Sequence, residues 1–187
     1  MSADHAAFAD RRAAGRSLAV ELAHFVILPP CVLALSSNAL PVAFEVAREL
    51  SGRLGLIGSG DPSSAWRTAP PDDDETVIVV DDGAADPATI HDVVAGLRRT
   101  GPKTLIYATP IASDEAIATA ALYSNLLICL RKPRPFRDAR TYYGEFHPVE
   151  PGEVRRLLRE ACDPHAAPGP PLEATTLHGP VEPRQAL

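Results

Sequence analysis

Five short runs of apolar residues stand out along the chain. They are Cys31–Leu35 (CVLAL), Arg53–Ile57 (RLGLI), Thr76–Val80 (TVIVV), Lys103–Ala108 (KTLIYA) and Asn125–Leu130 (NLLICL). Each is nearly continuous rather than alternating, the pattern of a strand buried on both faces of a parallel sheet. Between them lie patterns with helical period. Pro41–Leu50 opens with proline at a first-turn position. Ile90–Thr100 aligns Ile90, Val93, Val94 and Leu97 on one face and stops at Gly101-Pro102. Ser113 is placed to cap a helix whose first turn holds Asp114 and Glu115. Phe8–Ala23 and Glu153–Cys162 read as amphipathic helices bracketing the rest. Alternation of this kind predicts an α/β fold with a doubly wound, mainly parallel five-stranded sheet. Such sheets bind ligands at the carboxyl ends of their strands. The loops to watch are therefore Ser36–Leu40, Asp81–Thr89 and Thr109–Ser113.

Composition narrows the picture. At 187 residues the chain has the size of a single domain with an adequate core. Proline is abundant, 19 residues, and six of these fall in Asp163–Leu187, which has no apolar period. That segment cannot recover its ordering entropy by burial, so the expected organisation is a domain over 1–162 and a disordered Pro-rich tail over 163–187. Ser59–Glu75, rich in Pro, Ser and Asp, reads as a second loose segment. The net charge of −6 makes nucleic acid an unlikely partner, and no apolar run is long enough for a membrane span. Cys31, Cys129 and Cys162 are widely spaced, which argues against a zinc site or a disulfide framework and for a reducing, cytoplasmic setting.

The strongest local signal is ETVIVVDDGAADPAT, Glu75 to Thr89. A buried strand ends in two acids, followed by glycine, small residues and a helix start. This resembles the phosphoribosyl-diphosphate motif of the type I phosphoribosyltransferases. Three further segments resemble a bacterial subgroup of that family: FADRRAAGRSLAVELA near the N-terminus, PVAFEVAREL after the first strand, and LICLRKPRPFRDARTYYGEF from Leu127 to Phe146. The resemblance implies the family's fold and a ligand site on two loops. One is Asp81, Asp82, Gly83, Ala84, Ala85, Asp86, Pro87, Ala88 and Thr89. The other is Ser36, Ser37, Asn38 and Ala39. In the family the acid pair accepts hydrogen bonds from ribose hydroxyls. The following loop and helix N-terminus cradle the 5′-phosphate, and the earlier loop holds pyrophosphate with magnesium.

The chain departs from the family pattern on both loops. Asp86-Pro87 stands where the family has Thr and Gly, and Asp-Pro is itself a good helix start. Ser36–Ala39 has neither the arginine nor the glycines of the family's pyrophosphate loop. The stretch from Gly58 to Glu75 is short for the strands and flap that the family carries there. Other chemistry-bearing residues have plain structural readings. His91 fits a solvated helix position, and Asp72–Asp74 a solvated loop. Arg131, Lys132, Arg134, Arg137 and Arg140 could touch phosphate but suit a solvated or partner-facing strip. Tyr142, Tyr143 and Phe146 suit packing on the C-terminal helix, with base stacking as the sharper alternative.

Three functions stay open. The departures favour a phosphoribosyltransferase-like protein with an eroded site, a non-catalytic nucleotide-binding or interaction module. The alternatives are an active phosphoribosyltransferase on a nucleobase-like acceptor, and an enzyme repurposed for other chemistry. A nucleotide or sugar phosphate is the expected small-molecule partner, with Mg2+ only if phosphoribosyl diphosphate binds. A homodimer or a protein partner is compatible with the sequence.

Overall fold

The computed structural model describes residues 7–57, 75–83 and 86–162. The Pro-rich tail, the segment from 58 to 74, and Ala84 and Ala85 lie outside the described residues, as does the domain boundary expected at 162. In chain order the elements are α1 (Arg11–Leu22), β1 (Cys31–Ala34), α2 (Leu40–Glu49), β2 (Arg53–Leu56), β3 (Thr76–Val80), α3 (Pro87–Arg99), β4 (Thr104–Ile111), α4 (Asp114–Ala121), β5 (Leu126–Arg131) and α5 (Pro151–Ala161). A short 3₁₀ turn, Ala139–Tyr142, follows β5.

All the strand pairings are parallel, in the order β2-β1-β3-β4-β5. The sheet is therefore doubly wound. Its order reverses between β1 and β3, which makes that gap the topological switch point. Both faces are covered, as the unbroken apolar strands require. On one face Leu18 and Leu22 of α1, Val42 and Val46 of α2 and Leu157 of α5 pack on Val32, Ile78 and Ile106. On the other, Ile90, Val94 and Leu97 of α3 and Ala116 and Ala120 of α4 pack on Leu33, Val79 and Tyr107.

α1 and α2 touch closely because Gly15 has no side chain: a Cβ there would lie 2.6 Å from the carbonyl oxygen of Val42. The same contact buries Glu45, fully shielded from solvent, among arginines. Arg12 reaches it at 3.1 Å, Arg16 at 3.8 Å and Arg48 at 2.6 Å. A buried carboxylate is tolerated only when paired in this way.

The observed elements differ from the sequence reading in three places. α1 starts at Arg11 rather than Phe8, because the Asp10 carboxylate accepts the Ala13 N–H at 2.6 Å and caps the helix. Phe8 is thereby released to form a parallel bridge with Tyr143. β4 does not end at Ala108. It runs on to Ile111, pairing Thr109 with Cys129 and Ile111 with Arg131. Pro110 does not stop the strand, and the expected loop Thr109–Ser113 shrinks to Ala112-Ser113. Tyr143 and Phe146 pack on the N-terminal segment and not on α5: Tyr143 lies against Phe8 and Phe146, and the Arg11 guanidinium sits 3.6 Å above the Phe146 ring.

Candidate functional site

β1 and β3 end side by side, so the loops that follow them meet at the switch point. The loop after β3 starts with Asp81 and Asp82. The strand carries both inward, and they are 3% and 1% exposed. Asp81 Oδ2 accepts the Gly83 N–H at 3.0 Å and lies 3.3 Å from the Tyr107 hydroxyl, which donates to it. Burial, together with the neighbouring Asp81 charge, raises the Tyr107 pKa well above its ordinary value, so that hydroxyl stays a donor. Gly83 turns the chain at φ +94°, and a Cβ there would run into the Ile111 side chain. Only glycine satisfies both conditions.

Asp82 faces the opposite way along the chain. Its Oδ2 accepts from Arg11 Nε at 2.9 Å, and both side chains are almost wholly buried, 7% exposed for Arg11 and 1% for Asp82. Arg11 Nη1 also donates to the His147 carbonyl at 2.6 Å. Tyr143 donates its hydroxyl to the Asp82 carbonyl at 2.7 Å. Burial first, then the Asp82 charge, raises the Tyr143 pKa. Asp82 is thus held by the first turn of α1 and by the segment after the 3₁₀ turn.

That segment crosses the mouth of the switch point as a strap. Its backbone pairs with residues ahead of α1: Phe8 N–H to the Tyr142 carbonyl at 3.0 Å, Gly144 N–H to the Phe8 carbonyl at 2.8 Å, and Glu145 N–H to the Ala9 carbonyl at 2.8 Å. It then reaches the loop after β1, where the Asn38 side-chain oxygen accepts the Val149 N–H at 3.1 Å. In that loop the Ser36 hydroxyl accepts the Ala39 N–H at 3.2 Å, and Ala39 is fully buried. Ser37 and Asn38 are exposed. An open groove of about 170 Å³ remains beside the strap, between Asp10, Arg12, Pro41, Glu145 and His147.

The helix that follows the acid pair has its N-terminus filled from within the chain. Asp86 is the N-cap of α3: one carboxylate oxygen accepts the Ala88 N–H at 2.9 Å and the Thr89 N–H at 3.1 Å. The other accepts the Thr89 hydroxyl at 2.7 Å. The Thr89 hydroxyl bond, then the backbone bonds, hold the Asp86 pKa below its ordinary value, so the cap is charged at neutral pH. Pro87 supplies no N–H.

The two loops named from the sequence do come together, apart from Ala84 and Ala85, which lie outside the described residues. The basic run does not join them as a unit. Arg134 forks onto Asp114 at 2.8 and 3.1 Å, and Arg140 turns back onto Asp138 at 2.9 and 2.6 Å. His91 is an exposed helix residue beside Asp92, edge-on to Tyr123. Among the described residues no cluster of three or more His, Cys, Asp or Glu side chains could hold a metal ion.

Arg11 and Tyr107 were not singled out by sequence reasoning, and Tyr143 was read as packing or stacking rather than as a hydrogen-bond donor to Asp82. A signal for Arg11 was present: it stands on the same helical stripe as Ala14, Leu18 and Leu22, all buried. A charge on a buried stripe requires a buried partner.

No protein-family model matches the chain. In two strains of Mycobacterium tuberculosis it is similar to a protein named "Putative phosphoribosyl transferase", at 27% identity over 93% of this chain and 54% of that protein. The chain thus spans about half the length of these relatives. Their aligned span, 237 positions, exceeds the 187 residues of this chain, so the relatives carry residues within it that are missing here. Among solved structures the chain is similar to TT1426 from Thermus thermophilus, with a TM-score of 0.69 and 26% identity over 82% of this chain and 98% of that one.

Proposed function

We propose that the chain belongs to the type I phosphoribosyltransferase family, a reading its kinship and fold support, and that within that family it works as a non-catalytic binding or interaction module. The observation that carries this reading is the N-terminus of α3. Where the family receives a 5′-phosphate, the Asp86 carboxylate already takes the Ala88 and Thr89 N–H groups and the Thr89 hydroxyl. A phosphate would have to displace a neighbouring negative charge from donors that charge already uses.

The acid pair supports the same reading. A ribose diol needs carboxylate oxygens facing an open crevice, whereas Asp81 and Asp82 are buried and bound to Tyr107, Gly83 and Arg11. These residues do not fit a magnesium–diphosphate group either, since the nearest carboxylates are committed to an arginine and a tyrosine. On this reading the family's nucleotide or sugar-phosphate ligand is bound weakly, and the exposed loop Ser37-Asn38 and the groove beside it are what the domain offers to a partner.

Calorimetric titration with phosphoribosyl diphosphate, ribose 5-phosphate and an unphosphorylated nucleoside, with and without magnesium, tests this. Weak or absent binding of the phosphorylated ligands is the expected result. Tight, magnesium-dependent binding of phosphoribosyl diphosphate with pyrophosphate release on adding a nucleobase would overturn the reading in favour of an active transferase.

A further inference from the structure

We infer that the proline-rich stretch Pro168–Leu172 of this chain docks on an apolar patch made by Phe25, Ile27 and Leu28, at the end of the sheet opposite the switch point. Five large apolar side chains are exposed among the described residues, and four of them, Val20, Phe25, Ile27 and Leu28, fall between positions 20 and 28. Single exposed apolar residues are ordinary, whereas neighbouring ones mark a contact surface. Ile27 is 97% exposed and Leu28 75%. Val26 packs against the core between them and Phe25, which leaves Phe25 and Ile27 facing water. Pro30, two residues on, is buried, and its carbonyl accepts the Arg53 N–H at 2.9 Å. The patch therefore sits where β1 and β2 begin.

The chain beyond α5 is the occupant that the topology favours. α5 begins at the carboxyl end of the sheet. Val149, just ahead of it, is tied to Asn38, and Glu153 in its first turn lines the groove together with Pro41 at the start of α2. From there α5 packs along α2 and β2, and Leu157, Leu158 and Ala161 join the same core as Val26 and Leu50. Its 11 residues span about 16 Å, slightly more than a four-residue strand such as β1 or β2. Cys162 thus finishes at the amino end, on the side of β1 and β2. Pro168–Leu172 (PGPPL) follows after Asp163–Ala167. Five extended residues reach about 17 Å, more than three strand spacings of about 4.8 Å.

The chemistry of the two partners agrees. Asp163–Leu187 has too few large apolar residues to build a core, but docking asks for less. A proline run favours an extended backbone that is ordered before it binds and keeps its carbonyls in water, so it settles on aromatic and aliphatic surface at low entropic cost. Pro170, Pro171 and Leu172 offer apolar surface without charge, as do Phe25, Ile27 and Leu28. The short connection to α5 sets an effective concentration on the order of millimolar. A contact with a Kd of only about 0.1 mM would then be closed roughly tenfold over open. A separate protein with the same weak contact lacks that advantage. The patch lies away from the loops after β1 and β3, so this contact is independent of what binds there.

Methyl NMR of the full chain tests this. In the wild type, Overhauser contacts are expected between the Ile27 or Leu28 methyls and the protons of Pro170, Pro171 or Leu172. Pro170→Ser with Pro171→Ser and Leu172→Ser should move the Ile27 and Leu28 methyl signals. Ile27→Ser with Leu28→Ser, at exposed positions outside the core, should move the Leu172 methyls in turn. The Leu122 methyls, 74% exposed elsewhere, should stay in place in both variants, and unchanged core methyls show that the fold is kept. All these shifts should be independent of protein concentration. Ile27 and Leu28 signals that ignore the change at 170–172 would overturn the proposal, whether the patch is bare or covered by something else. So would contacts that appear only as concentration rises, which would assign the patch to a second copy.

Discussion

The loops after β1 and β3 meet at one switch point and, on the reading proposed above, depart from the resembled family's pattern in opposite ways. The loop after β3 keeps Asp81, Asp82 and Gly83 but turns the carboxylates inward, onto Tyr107 and Arg11. The loop after β1 keeps none of the family's residues, and its Asn38 ties it to the strap at Val149. In the first the residues survive and their hydrogen-bonding capacity is used within the protein. In the second the residues themselves are gone. A motif match therefore reports residue identity, while binding depends on which oxygens and N–H groups remain available, and that is set by residues as distant as Arg11 and Tyr143.

The comparison breaks most sharply at Arg11. Arg11→Met keeps the bulk but leaves the Asp82 carboxylate buried and without its cation. Removing one partner of a buried pair costs about 3–5 kcal/mol, and a large fall in melting temperature is expected. Asp82→Asn added to Arg11→Met should recover part of that loss, because the stranded charge is gone. If Arg11→Met melts like the wild type, the ion pair is not what holds the acid pair in place.

Gly83→Ala is the next largest effect. Both the left-handed backbone and the contact with Ile111 oppose a side chain, for roughly 2–4 kcal/mol together. Ile111→Ala would remove the side-chain part of the contact but neither the Ile111 carbonyl oxygen, 2.7 Å from the added Cβ, nor the left-handed backbone, so the double variant should be rescued only partly. The comparison loop supplies the control: Ser37→Ala, at an exposed position, should change stability within about 0.5 kcal/mol. Denaturant midpoints for the three variants decide this.

The sheet and its helices were legible in the sequence because continuous apolar runs and 3.6-residue stripes report burial directly. Thr76–Val80 and the Ser113 cap are found where the pattern puts them. What was not legible is contact over long separation. The Arg11–Asp82 pair spans 71 residues and the Tyr143–Asp82 bond 61, and no local period encodes either. The end of β4 was placed too early, at Ala108, where the apolar run breaks: the chain continues to pair at Thr109 and Ile111, on either side of Pro110. Asp86-Pro87 was readable both as a departure from the family and as a helix cap. The cap geometry is now described, and what it does to ligands is a matter for titration.

Asp86→Thr with Pro87→Gly sharpens the comparison on the side of function. The pair restores a hydroxyl and a backbone N–H at the start of α3 and removes a charge. Ribose 5-phosphate affinity should rise by roughly tenfold over the wild type, while the helix start is weakened by loss of a good cap and a stiff first turn. Changing Ser36-Ser37-Asn38-Ala39 to Pro-Arg-Gly-Gly alone should produce no phosphoribosyl transfer, because the acid pair stays closed. Transfer by that variant would show that the loop after β1 is the one missing element.

The smallest effect is a pH dependence confined to the loop after β3. The Thr89 hydroxyl and the first-turn N–H groups stabilise the charged form of Asp86, so its pKa in the folded chain lies below the unfolded value of about 4. A group depressed in this way contributes stability that is complete above the unfolded pKa. That contribution is lost as the pH falls through the folded one. Asp86→Asn keeps a capping oxygen but cannot titrate. Wild type should therefore be the more stable of the two at pH 7, and the gap should close below about pH 4 as the carboxylate takes up a proton. Because Asp86 is exposed, added salt should narrow the gap at neutral pH too. Chemical denaturation of both proteins between about pH 3 and 7 reads this directly. A gap that stays constant over that range would mean the charge on Asp86 contributes nothing, and would remove the electrostatic ground for the proposed exclusion of phosphate.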